Sequence, residues 1–237
     1  MRQAEKVDLG SDDWTMEIRP YASAFHFPIK ELWEYRDLLF LFVRRDFKTM
    51  YKQTILGPAW ILLSPLLTTG MFSLIFGRIA GISTDGTPTF LFYMAGNILW
   101  NYFSSCLSAA SSTFIGNAGL FGKVYFPRIV VPASSAVSKL ITFGAQFLLF
   151  LILLFCSLGS GQVRITWLCL MTPVLLVMLA LLAIGTGMIL ASLTAKYRDL
   201  QVLVGFGIQL WMYASPIVYP LSQIPGKWRI LLSLNPV

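Results

Sequence analysis

The connector 117-NAGLFGKVYFPRIVVPASS-135 carries two prolines, a Lys, an Arg and three aromatics. Long apolar runs lie on both sides of it. A simple link between two such runs needs none of this chemistry. What the connector is for depends on what the flanking runs are.

Of the 237 residues, 56% are hydrophobic and 12% are charged, more apolar than a soluble domain. Residues 57–79, 90–114, 135–158 and 167–193 each contain a stretch near the ~20 residues that cross hydrocarbon. A shorter fifth run, 202–218, contains Pro216 near its end. The predicted fold is therefore all-α and polytopic, with five visible spans. Residues 1–27 read as a polar tail, 28–56 as an amphipathic interface region and 57–237 as the transmembrane domain. The tail mixes Asp, Glu and Arg with no apolar core, so no cleavable signal peptide is visible. Cys106, Cys156 and Cys169 fall inside spans as small apolar fillers, and His26 has no companion ligands. Neither a disulfide framework nor a metal site is expected.

The net charge of +7 is topological rather than a footprint for nucleic acid. Lys30, Arg36, Arg44, Arg45, Lys48 and Lys52 precede the first span. Lys123, Arg128 and Lys139 follow the second, and Lys196 and Arg198 follow the fourth. The alternate side holds only Arg78, Arg164, Lys227 and Arg229. The positive-inside rule then puts the N-terminus and the connector in the cytoplasm.

In 31-ELWEYRDLLFLFVRRDFKTMYKQT-54, apolar residues from Leu32 to Tyr51 recur at three- and four-residue steps. Charges occupy the other positions, which predicts an amphipathic helix at the inner interface. Pro58 suits a first helical turn, and Pro65 should kink the first span. Span two is unusually polar, with Asn97, Asn101 and several Ser. In 185-GTGMILAS-192, Gly187 and Ala191 form a small-xxx-small pair that permits close helix packing. The prolines from Pro216 to Pro225 predict a helix-break-helix dipping into the outer leaflet.

Absences narrow the function. No carboxylate and no His lies within a span, which argues against a proton relay. Asp85 and Asp199 fall on opposite sides of the membrane, so they cannot cooperate in an enzyme acting on polyprenyl-linked sugars. The segment 119-GLFGK-123 lacks the phosphate-loop spacing, and Val124 follows its Lys. Any energy must come from another chain.

For the connector, the residues leave two readings open. A short helix from Asn117 to about Tyr125, stopped by Pro127, could place Phe121, Val124 and Tyr125 on one face with Arg128 a turn further on. That would be a rigid knob of interface-type residues. Alternatively, it lies on lipid with its aromatics as anchors.

Four segments in order, 44-RRDFKTMYKQTILGPAWILLSP-65, 117-NAGLFGKVYFPRIVVP-132, 197-YRD-199 and 215-SPIVYPLSQIPGKWRILLSLNP-236, resemble the membrane subunit of ABC-type exporters of bacterial surface polysaccharide. These are the O-antigen permeases and their capsule and teichoic-acid relatives. The resemblance implies a homodimer paired with two ATPase subunits, which would bind the ATP and magnesium; no cofactor is implied on this chain. It implies a coupling segment within 117–132, carried by Phe121, Lys123, Tyr125, Phe126 and Arg128. It implies an outer gate in 216–236 and a channel for a polyprenyl-diphosphate-linked glycan. Tyr93, Trp100, Tyr102, Phe103, Trp211, Tyr213 and Tyr219 are the channel aromatics so assigned, and Arg44, Arg45 and Lys48 the basic entrance. The family normally has a sixth span, which these residues do not reach. Three rival readings are a small-molecule or drug ABC permease, a membrane enzyme on polyprenyl-linked sugars, and a membrane scaffold.

Overall fold

The computed structural model describes residues 29–52, 55–159 and 167–220, together with positions 222, 224, 226, 232 and 235. The tail with His26, Arg164, and the second half of the predicted outer helix-break-helix with Lys227 and Arg229 lie outside the described residues. Among the described residues, all regular structure is helical.

The interface region forms α1, Ile29–Glu34, and α2, Arg36–Tyr51, rather than one continuous helix. The break is at Tyr35, where ψ is 19°. A 3-10 turn, Gly57–Ala59, with Pro58 in the first turn, leads into α3, Trp60–Phe72, which becomes π-helical over Ser73–Ile79. The second span is α4, Thr89–Ser111. Two single-turn helices, α5, Thr113–Gly116, and α6, Ala118–Phe121, enter the connector. The third span, α7, Val130–Leu158, begins before residue 135, so Pro132 sits in its first turn rather than ahead of it. There its missing N–H is one the helix leaves unpaired anyway. A 3-10 turn, Trp167–Met171, precedes α8, Thr172–Lys196. Finally α9, Leu200–Tyr213, is capped by the Asp199 carboxylate, which accepts from the Leu200 N–H at 3.0 Å.

Among the described residues, three segments are long and apolar enough to cross a membrane by composition: Gly57–Ile79, Val130–Leu158 and Cys169–Lys196. The exception among the long helices, α4, is the one at the centre. At 23 residues it is ~35 Å long, sufficient to cross, yet it is more polar because its neighbours rather than lipid surround it. Met94, Ile98, Phe103 and Leu107 form the core with Phe143 of α7 and Ala183 of α8. The shorter α9, 14 residues, reaches only ~21 Å and hands over to the compact turns that follow it.

Small residues bring α4 and α8 together as their spacing predicts. A Cβ added at Gly187 would collide with the Ala110 methyl and lie 3.2 Å from the Leu107 carbonyl oxygen. Ala191 is fully buried, and the Thr194 hydroxyl donates to the Ser111 carbonyl at 2.9 Å. Lipid gives no hydrophobic drive between helices, so close packing of this kind is what holds a bundle.

Pro65 is handled by a device the sequence reading did not anticipate. Proline has no N–H to give the carbonyl four residues back, which in α3 belongs to Ile61. The Gln146 side chain of α7 donates to that carbonyl at 3.2 Å. The orphan acceptor is thereby satisfied where water is excluded. The change in helix type comes later, at Ser73.

Candidate functional site

The connector folds onto the interface helix. α6 ends at Phe121, and the Lys123 and Val124 amides bond back to the Leu120 carbonyl at 3.1 and 3.2 Å. The predicted helix to about Tyr125 is therefore too long. Gly122 follows α6, and residues 124–127 have no regular structure. That change alters which side chains share a face. Val124 and Tyr125 are 54% and 56% exposed, whereas the next residue, Phe126, is only 4% exposed. Phe126 is thus an anchor, and the exposed tip is Gly122 to Tyr125.

What holds the tip is a chain of aromatic rings. Phe126 lies 5.8 Å from Phe42 of α2 and 5.4 Å from Phe121, and Phe121 lies 6.0 Å from Phe114 of α5. Val130 and Val131 at the start of α7 close the cluster. Two guanidiniums cap it, Arg45 over Phe42 at 4.8 Å and Arg128 over Phe114 at 5.7 Å. Such offset rings and cation–π contacts each add about 0.5–1.5 kcal/mol beyond burial. The rings therefore tie the base of the tip to α2 and α7 together. Beside the tip, Phe121, Tyr125, Pro127 and Arg128 border an open hollow of about 460 Å³.

The three entrance residues divide. Arg45 is engaged, its Nη2 2.8 Å from the Asp46 carboxylate. Arg44 and Lys48 are exposed one turn apart on α2, on the same face as Leu41, also exposed at 62%.

The aromatics expected along a channel fall in two groups. Tyr93, Trp100, Tyr102 and Phe103 are at most 5% exposed. Tyr93 meets Phe72 of α3 edge-on at 6.3 Å, Tyr102 meets Phe143 of α7 at 5.5 Å, and Phe103 meets Trp211 of α9 at 5.2 Å. These rings are joints between α4 and its neighbours. In this conformation Tyr93, Trp100 and Phe103 are enclosed within the chain, and Tyr102 borders only a small cleft between α4 and α7. Trp211, Tyr213 and Tyr219 lie instead on the last turn of α9 and in the segment that follows it. The Trp211 indole donates to the Asn235 side-chain oxygen at 3.0 Å, and the Tyr219 hydroxyl donates to the Tyr213 carbonyl at 2.9 Å.

The end of the bundle opposite the connector is tied by polar contacts. Asp85, in a tight turn where it and Gly86 both have positive φ, accepts from the Ser222 hydroxyl at 2.8 and 2.9 Å. The Asn235 amide donates to the Ala214 carbonyl at 3.1 Å and to the Ser215 hydroxyl at 2.9 Å. Ile217 presses on Gly96 of α4. Sequence reasoning missed Phe42 and Phe114 as ring partners. It also counted Lys139 as a loop charge, although α7 includes it. A Gln inside an apolar run, opposite a span containing proline, was the available signal for Gln146.

Residues 37–237 match the ABC-2 type transporter family. The chain is 32% identical over 211 residues to "O-antigen export system permease protein RfbA" of Myxococcus xanthus, covering 88% of this chain and 79% of that one. It is 28% identical over 201 residues to a protein of the same name from Klebsiella pneumoniae, covering 85% and 76%. It is 26% identical over 211 residues to "Polysialic acid transport protein KpsM" of Escherichia coli, again covering 85% and 76%.

Proposed function

This chain belongs to the ABC-2 type transporter family, and we infer that within it the chain is the permease subunit of an exporter for lipid-linked polysaccharide of the O-antigen kind. It is a multi-pass membrane protein. In this reading it sits in the bacterial inner membrane with its N-terminus in the cytoplasm, and two copies pair with two ATPase subunits. ATP and magnesium are bound on the ATPases. The relatives named for O-antigen export, at 28–32% identity, favour that polymer over the polysialic acid named for the 26% relative.

The observation that carries the reading is the exposed tip at Lys123, Val124 and Tyr125, backed by the Phe42–Phe126–Phe121 rings. An ATPase surface that grips the tip would displace α2 and α7 as one piece. Because α7 packs on α4 through Tyr102 and Phe143, the displacement reaches the centre of the bundle. α9 supports the pairing of two copies: among its described residues none is buried, and Val202, Leu203, Phe206 and Leu210 are more than half exposed. Trp211, Tyr213 and Tyr219 then stand at the outer mouth, with Arg44 and Lys48 at the inner one.

The test is reconstitution of the chain with its ATPase in vesicles containing a radiolabelled lipid-linked glycan. ATP-dependent loss of glycan from the ATPase side is expected, with Tyr125→Ala slowing it at least about ten-fold. Full transport by Tyr125→Ala, or ATP-dependent movement of small solutes in place of glycan, would refute the reading.

A further inference from the structure

A small cleft, walled by polar side chains and by the Phe143 ring, lies between α4 and α7 in the half of the bundle nearer the connector, and neither packing nor coupling accounts for it. Asn101, Tyr102 and Ser105 of α4 and Lys139, Thr142 and Gln146 of α7 border a space of about 40 Å³. One water needs roughly 10–15 Å³, so the cleft has room for a group of phosphoryl size.

Three observations converge on an anion. Lys139 lies ~14 Å along α7 from Val130, is partly buried, and has no ion-pair or hydrogen-bond partner among the described residues. The described carboxylates, at Glu34, Asp37, Asp46, Asp85 and Asp199, all belong to the interface helices or to turns outside the spans. A cation in this place normally has a partner. The Thr142 hydroxyl is buried with no partner, and so is the Ser138 hydroxyl one turn before it. Other hydroxyls on α7 do find backbone carbonyls, Ser134 at 2.7 Å and Ser157 at 3.0 Å. Thr142 thus brings an unpartnered hydroxyl to the cleft that Lys139 also borders, with the Asn101 amide as a further donor.

We propose that Lys139, Asn101, Ser105 and Thr142 form a binding site for the phosphate ester of a lipid that enters from the inner leaflet. A lipid rather than free phosphate fits because the spans around the cleft are apolar and an acyl or prenyl tail can lie against them. The ligand is the diphosphate of the lipid-linked glycan or the headgroup of an anionic phospholipid. Its assignment to the glycan lipid rests on the exporter reading above; the site itself does not.

The test uses the purified full chain in phosphatidylcholine nanodiscs, with binding measured for a short polyprenyl diphosphate, for phosphatidylglycerol and for inorganic pyrophosphate. The polyprenyl diphosphate should bind. Lys139→Gln should weaken it at least about ten-fold, as expected for loss of a charged hydrogen-bond donor. Thr142→Val should weaken it several-fold, while Lys139→Arg, which also controls for folding, should stay within about three-fold. Phosphatidylglycerol binding with the same Lys139 dependence, and no preference for the diphosphate, would support the site and assign it to bulk lipid. Binding of all three probes alike by wild-type and Lys139→Gln chains would overturn it, as would inorganic pyrophosphate matching the lipids. A transporter that fails to move glycan while Lys139-dependent binding persists would sink the exporter reading and leave the site standing.

Discussion

Replacing Gln146 should be costly only while residue 65 is proline. In the native chain the Ile61 carbonyl receives the Gln146 amide at 3.2 Å because Pro65 cannot supply an N–H. Gln146→Leu keeps the bulk but leaves that carbonyl bare in a helix pair that excludes water. An unsatisfied buried acceptor costs about 1–3 kcal/mol. Interhelical hydrogen bonds in membranes run lower, ~0.6 on average and up to ~1.7 kcal/mol. The two ranges overlap at about 1–1.7 kcal/mol, which is the expected loss. Pro65→Ala restores an N–H at position 65, which bonds Ile61 within α3. In that background Gln146→Leu should cost less than about 0.5 kcal/mol, so the coupling energy is roughly 1 kcal/mol. The assay is a double-mutant cycle on equilibrium unfolding in mixed micelles, read by helical circular dichroism. Packing changes common to both backgrounds cancel in the cycle. A coupling energy near zero, with Gln146→Leu equally harmful in both backgrounds, would refute the reasoning.

Phe126→Ala and Tyr125→Ala should part company. The first removes a buried ring and should cost about 3–5 kcal/mol of stability; the second, at an exposed tip, should leave unfolding within about 0.5 kcal/mol, both read in the same micelles. Gly187→Val should prevent α4 and α8 from closing, giving little folded protein by size exclusion, whereas Gly185→Ala, which meets nothing within 4 Å, should be silent. Thr194→Val should lose about 1 kcal/mol by removing the bond to the Ser111 carbonyl. Paired cysteines placed at Asp85 and Ser222 should cross-link in membranes, which tests the outer tie; failure to cross-link under oxidation would show that the two loops are apart.

Much of the architecture was legible because spans write themselves as long apolar runs and helix contacts as small residues. Gly187 and Ala191 pointed to a close helix contact, and the break-rich stretch after Tyr213 foretold that α9 would stop short. What stayed hidden depends on partners far apart in sequence. Span two looked unusually polar for a lipid-facing helix because composition cannot separate a helix buried among helices from one that faces lipid. Tyr93 and Phe103 are joints for that reason. The connector was read as helical through Tyr125, but Gly122 and the approach to Pro127 end the helix four residues earlier. That puts Phe126 inward against Phe42, a ring 84 positions away. Lys139 was grouped with the connector charges because charge was counted by its nearness to Lys123 and Arg128, although the apolar run from residue 135 already contained it.

The central claim is that the tip at residues 122–125 is where an ATPase grips this chain. The most direct measurement is gentle purification of the tagged full chain from its own membrane, with quantification of every protein that accompanies it. The account predicts an ATPase at one copy per permease, lost when Tyr125→Ala and Arg128→Glu are combined in a chain that still unfolds normally. Recovery of the folded chain without an ATPase, or an ATPase that stays bound to the double variant, would contradict it and return the connector to a loop lying on lipid.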